Sequence, residues 1–100
     1  EQVIKNNSVI INCTSVGMNS SQVPIDLGLL HHNQIIIDII YNPLETPLIK
    51  FGKKIGAVTM NGLDMLIFQG LASLDLWFGE SLSNRVNFKD LKKYLETLIC

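Results

Sequence analysis

The chain has 100 residues, 47% of them hydrophobic, enough for one small core, whether that of a small domain or of a piece of a larger one. A formal net charge of −1, with no basic cluster longer than Lys53-Lys54 or Lys92-Lys93, argues against nucleic acid or an anionic membrane as a partner. The longest apolar candidate, Leu63 to Phe78, is broken by Asp64, Gln69, Ser73 and Asp75, so nothing reaches the roughly 18–20 apolar residues of a membrane span.

The sequence opens on Glu1-Gln2-Val3 with no initiator Met, basic n-region or apolar h-region, and reads as a segment of a longer protein without a signal peptide. Cys13, inside an apolar run, and Cys100, at the terminus, show neither metal spacing nor a disulfide framework, which suits a cytoplasmic home. Val9-Ile10-Ile11-Asn12-Cys13 and Ile35 to Ile40 are short, β-branched apolar runs of the kind found in parallel strands covered on both faces. Between them, Gly17 to Pro24 is a turn-rich loop, and Ile25 to Leu30 has room for one or two helical turns. Thr46 is placed to cap a helix whose first position is Pro47, where the missing N–H costs nothing. Gly56 to Met60 is a weaker third strand. Asn61 caps a long helix from about Gly62 to Phe78, which Gly79 ends. Asn87 caps a last helix from about Phe88 to Ile99, with Phe88, Leu91, Leu95, Leu98 and Ile99 as its apolar stripe. Strand alternating with helix predicts an α/β fold: a parallel, Rossmann-like half-domain of about three strands, with a long buried helix and a C-terminal amphipathic helix.

Polar residues at the ends of these elements are the candidate site. Thr14, Tyr41 and Asn61 with Gly62 each follow the carboxyl end of a predicted strand, where open parallel sheets bind their ligands. Gly62 also begins a helix without a side chain, which lets a ligand approach backbone N–H groups. On the long helix, at about 100° per residue, Asp64 and Asp75 fall within about 20° of each other, while Gln69 lies about 140° from Asp64 among apolar neighbours. A buried amide there needs a partner, either a neighbouring loop carbonyl or a ligand. Asp38 reads as structural, the lysines of the second helix as a solvated face, and His31-His32 as a loop pair without the ligand spacing of a zinc site.

Three blocks of this sequence resemble the shikimate dehydrogenase family, enzymes that reduce 3-dehydroshikimate on the route to chorismate and the aromatic amino acids. Ile11-Asn12-Cys13-Thr14-Ser15-Val16-Gly17-Met18 is similar to the family's Asn-Ala-Thr-x-x-Gly-Met, with Cys13 in the place of the common Ala. Asp38 to Leu48 is similar to its Asp-x-x-Tyr-x-Pro-x-x-Thr-Pro-Leu, and Asn61 to Gly79 to its Gly-Leu-x-Met-Leu-x-x-Gln followed by Leu-Trp-x-Gly. The resemblance covers about residues 8–98. It implies that Tyr41 and Gln69 bind shikimate or 3-dehydroshikimate, and that Thr14, Ser15, Ile39, Gly62 and Met65 contact NADP. It implies a division into residues 1–79, the second half of the NADP-binding domain with the long helix, and 80–100, a helix that packs on an N-terminal substrate domain. The family's catalytic Lys–Asp pair and Gly-rich phosphate loop lie upstream of the matching region, so no residue of this chain is assigned a catalytic role and no metal is expected. The isolated chain is expected to be inactive, and a homodimer is compatible with the parent. A quinate/shikimate paralogue using NAD, or a catalytically silent cofactor- or metabolite-binding module, are the alternative readings.

Overall fold

The β-branched runs pair as their composition requires. In the computed structural model, which describes residues 2–79 and 81–99, β1 (Val9–Asn12), β2 (Ile35–Asp38) and β3 (Val58–Met60) form a parallel sheet in the order β1-β2-β3. The register aligns Ile10, Ile36 and Thr59 in one row, flanked by the rows Val9, Ile35, Val58 and Ile11, Ile37, Met60. Successive residues point to opposite faces, so these rows alternate between the two sides of the sheet.

The side that carries Ile36 is the core. Helix α2 (Pro47–Lys54) lies against it and buries Leu48, Ile49 and Gly52. A Cβ at Gly52 would stand 2.8 Å from Thr59 Cγ2 and 3.2 Å from Ile36 Cδ1, so the absent side chain lets the helix sit down on the sheet. Leu30, Ile36 and Leu48 form the cluster's centre, with Ile4, Ile10, Ile25, Leu27 and Phe51 around it. Thr46 caps α2 by accepting from Ile49 N at 3.3 Å, and Pro47 occupies the first turn as expected. Lys53 pairs with Glu45 at the surface, as a solvated face should.

The opposite side is open. Val9, Ile35 and Val58 are 45%, 40% and 65% exposed, so the expected cover on both faces is present on one face only. The reason is topological: residues that pack with Ile36 come from the start of the chain, the 25–30 segment and α2 alike, and none of these crosses to the far face. The 25–30 segment makes a single 3-10 turn, Leu27–Leu29, capped by Asp26. A helix not anticipated, α1 (Gln2–Asn6), precedes β1. It is held by the buried Gln34, which donates to Ile4 O at 2.7 Å and Asn7 O at 3.0 Å, and by a contact of 3.0 Å between His31 Nε2 and Lys5 O.

Helix α3 (Gly62–Phe78) has the predicted bounds. Asn61 accepts from Asp64 N at 3.1 Å, and Gly79, at φ 64°, closes the other end by donating to Asp75 O at 3.0 Å. Its burial differs from expectation. Only Gly62, Leu63 and Ile67 are buried, while Leu76, Trp77 and Phe78 are 83%, 76% and 63% exposed. An apolar helix is covered only where other elements reach it, and here the far half of α3 runs past the sheet in a body 44 Å long. The chain then returns along the polar stripe: Ser83 donates to Asp75 through N at 2.9 Å and Oγ at 2.6 Å, and Lys92 of α4 (Phe88–Ile99) lies 2.7 Å from Asp64 Oδ1. The bonds from Ser83 hold the Asp75 carboxyl below the usual aspartate range. Asn87 caps α4, and Phe88 stacks on Phe68 with ring centroids 4.8 Å apart. The side chain of Ile99, assigned to the apolar stripe, and Cys100 lie outside the described residues. Among the described residues no helix is long and apolar enough to cross a membrane, and no cluster of His, Cys, Asp and Glu could hold a metal ion.

Candidate functional site

Asn12 and Asp38 are register partners at the carboxyl ends of β1 and β2, and both side chains are buried. A carboxyl group so placed is costly unless its oxygens are bonded. Asp38 Oδ2 accepts from Thr46 Oγ1 at 2.7 Å, and Oδ1 accepts from Ile40 N at 3.1 Å and Asn12 Nδ2 at 3.2 Å. Asn12 Nδ2 also donates to Val16 O at 3.1 Å, while its Oδ1 accepts from Thr14 N at 3.0 Å and Thr14 Oγ1 at 2.6 Å. Asp38 is therefore structural, as expected. The network binds two strand ends, the 14–16 loop and the start of α2 into one unit.

Above it opens a cleft of about 540 Å³, within the range of small-molecule sites. One wall is Cys13, Thr14 and Ser15 with Met18 and Asn19; the other is Ile39 to Asn42. Thr14, Ser15, Ile39 and Tyr41, all singled out in the sequence, thus share one concavity. The lining has no Lys or Arg. It offers hydroxyls, an amide and apolar surface, which suit a flat ring bearing hydrogen-bonding groups and leave the negative charge of a phosphate without a partner. The nicotinamide end of a dinucleotide fits such a lining, and its pyrophosphate does not. Asn19, in the left-handed region at φ 58°, and Met18 belong to the wall without having been singled out. Asn–Ser pairs at a loop tip signal a turn, and nothing in the local sequence ties that turn to the end of β2.

The other candidates sit elsewhere. Gly62 is buried behind the second wall, and its N–H donates to Ile40 O at 3.0 Å. A Cβ there would stand 2.1 Å from Ile39 O, so the space left by the missing side chain is filled by the end of β2 rather than by open approach to a helix start. Met65 is 43% exposed one turn further along α3. Gln69 lies outside the cleft, and its neighbours are apolar as expected, but it is not buried among them. It is exposed, donates to Leu66 O of its own helix at 3.0 Å, and lines a second cavity of about 370 Å³ between α3 and α4, with Leu66, Leu91 and Leu95. Its azimuth agrees with the helical geometry; the sector it points into is simply uncovered.

Fold and cleft together define a class, the second half of a Rossmann-like dinucleotide-binding domain, with its ligand position at the carboxyl ends of parallel strands. No family model matches the chain. It is 44% identical over 81 residues to the shikimate dehydrogenase (NADP(+)) of Pelodictyon phaeoclathratiforme, an alignment covering 78% of this chain and 29% of that protein. Among solved structures it is similar to a shikimate dehydrogenase in complex with NADP+, with a TM-score of 0.74 and 37% identity over 93% of this chain and 32% of the other. A ligand-free 5-ketofructose reductase of Gluconobacter sp. strain CHM43 superimposes with a TM-score of 0.79 at 29% identity, covering 94% of this chain and 33% of that one. The chain is homologous to the shikimate dehydrogenase family over most of its length, and its fold agrees with the carboxyl-terminal, NADP-binding half-domain. It spans about three tenths of the length of the curated relatives it matches.

Proposed function

We propose that this chain is the carboxyl-terminal third of a cytoplasmic, NADP-dependent shikimate dehydrogenase, which interconverts 3-dehydroshikimate and shikimate. The observation that carries the reading is the gathering of Thr14, Ser15, Ile39 and Tyr41 around one cleft at the strand ends, in a chain with this homology. NADP, when bound, supplies the hydride chemistry. In this reading Thr14 and Ser15 on one side and Ile39 on the other hold the nicotinamide and keep water from its face, and Met65 packs beside it. Gly62 acts at one remove, by letting the end of β2 rest on α3. Tyr41 and Gln69 meet the hydroxyls of the substrate, since a phenol and an amide each donate and accept. Tyr41 is 44% exposed and Gln69 has an acceptor oxygen free of its helix bond, so both have capacity for a ligand. The proton relay and the phosphate-binding loop would be supplied by the upstream segment that the relatives possess, and α4 would pack against that segment's substrate domain.

The test is steady-state kinetics on two preparations, the 100-residue chain and the longer gene product that contains it. The longer protein should oxidise shikimate with NADP, and the 100-residue chain should show no turnover above a control. Turnover by the short chain alone would refute the division of labour. A longer protein that prefers quinate with NAD would move the assignment to a quinate dehydrogenase, and one that binds NADP without oxidising either acid would make it a silent cofactor module.

A further inference from the structure

The cleft's two walls are joined beneath by a buried pair of side chains, Asn12 and Asp38, and we propose that Asn12 is a positioning residue for the nicotinamide end of the cofactor. The inference rests on the functional reading above. Asn12 is 4% exposed, and both ends of its amide are occupied. The Asp38 oxygens already accept from Ile40 N and Thr46 Oγ1, so the group facing them from Asn12 has to be a donor. That requirement turns Nδ2 toward Asp38 and Val16 O, and so turns Oδ1 toward Thr14. Thr14 then receives its place from Oδ1 twice, through N at 3.0 Å and Oγ1 at 2.6 Å, and its hydroxyl oxygen accepts from Val16 N at 3.1 Å. The Thr14 hydroxyl proton is thereby committed to Asn12, which leaves the residue's methyl and backbone, with Ser15, as the surface offered to a ligand. On the other side the same Asp38 holds Ile40 N, one residue before Tyr41. The placement of the cleft's two walls relative to each other is therefore tied to the Asn12–Asp38 pair.

Donor and acceptor polarity gives the test. Asn12→Asp places a carboxyl oxygen against Asp38 Oδ1 and Val16 O where donors stood, and Asp38→Asn in that background restores a donor facing an acceptor. Fluorescence titration of the longer gene product with NADPH should show a Kd at least tenfold higher for Asn12→Asp, with several-fold recovery in the Asn12→Asp/Asp38→Asn double variant. Merely losing folded molecules lowers the binding stoichiometry and leaves Kd alone, so the two effects separate. If Asn12→Asp does not fold, Thr14→Val, at an exposed position, removes the hydroxyl end of the same link and should raise Kd at least threefold. A Kd within twofold of wild type in a folded Asn12→Asp protein, no recovery in the double variant, or an unchanged Kd for Thr14→Val overturns the proposal. A wild-type protein that binds NADPH but leaves shikimate untouched refutes the substrate reading alone; one that binds no NADPH refutes both.

Discussion

Gly62 and Gly70 lie in the same helix, and the same substitution at the two should act with opposite sign. At Gly62 a new Cβ would stand 2.1 Å from Ile39 O, 2.4 Å from Ile39 C and 2.6 Å from Ile40 C. Ordinary carbon–oxygen contacts are about 3.3 Å or longer, so α3 and the end of β2 would have to separate by about 1 Å. Both partners are backbone, and no rotamer change relieves the clash. Overpacking of this kind costs about 1–3 kcal/mol or more, and stretching the Gly62 N–H to Ile40 O bond adds about 1 kcal/mol. Alanine's better helix propensity returns under 1 kcal/mol at a first-turn position. The net expectation for Gly62→Ala is a loss of about 2–4 kcal/mol, which for a domain of this size lowers Tm by roughly 10–25 °C. At Gly70 nothing stands within 4 Å of the new Cβ, so Gly70→Ala should raise stability by about 0.5–1 kcal/mol. Thermal and urea unfolding followed by far-ultraviolet circular dichroism measures both. A Gly62→Ala protein melting within 2 °C of wild type would show that α3 does not rest on the end of β2 as described.

Ile67→Ala should cost about 2–5 kcal/mol, because Ile67 is 4% exposed, whereas its neighbour Leu66, 40% exposed, should cost clearly less; equal losses in urea melts would contradict the orientation of α3. Asp75 binds its proton more weakly folded than unfolded, so the stabilisation it contributes is present above the ordinary aspartate range and is lost as pH falls below about 4. Asp75→Asn should flatten that acid limb in a pH series of unfolding curves, and an unchanged limb would place the linkage elsewhere. In the longer gene product, Tyr41→Phe should weaken shikimate use by about tenfold or less, consistent with one hydrogen bond, and a rise confined to the NADP KM would reassign Tyr41 to the cofactor. Gln69→Ala should lower kcat/KM for shikimate at unchanged stability, since its amide bonds only its own helix; normal kinetics would leave it a surface residue.

Elements whose determinants are local could be read from the sequence. Asn61 and Gly79 bracket α3 because capping involves only residues within one turn, and Thr46 with Pro47 starts α2 for the same reason. What depended on distant partners could not. Helix α1 exists because Gln34 and His31, some 30 residues on, satisfy its carbonyls. The direction of Gln69 followed from helical geometry, but whether anything covers that direction is decided by elements that do not reach it. Leu66 and Ile67 are alike in composition and differ in which of them shares the buried side of α3 with Leu63. At the cleft, the strand-end rule located Thr14 and Tyr41, whereas the role of Asn12 needed the register that sets it beside Asp38.

The far half of α3 has a practical bearing on how this protein is watched in solution. Trp77 is the sole tryptophan and is 76% exposed in the native chain. Its indole already meets water, so its emission changes little when the core melts and is a poor reporter of unfolding. The same indole becomes a sensitive probe of whatever covers that end of the helix: a shift of its emission to shorter wavelength, at constant circular dichroism, would signal docking of another body without any change in the core.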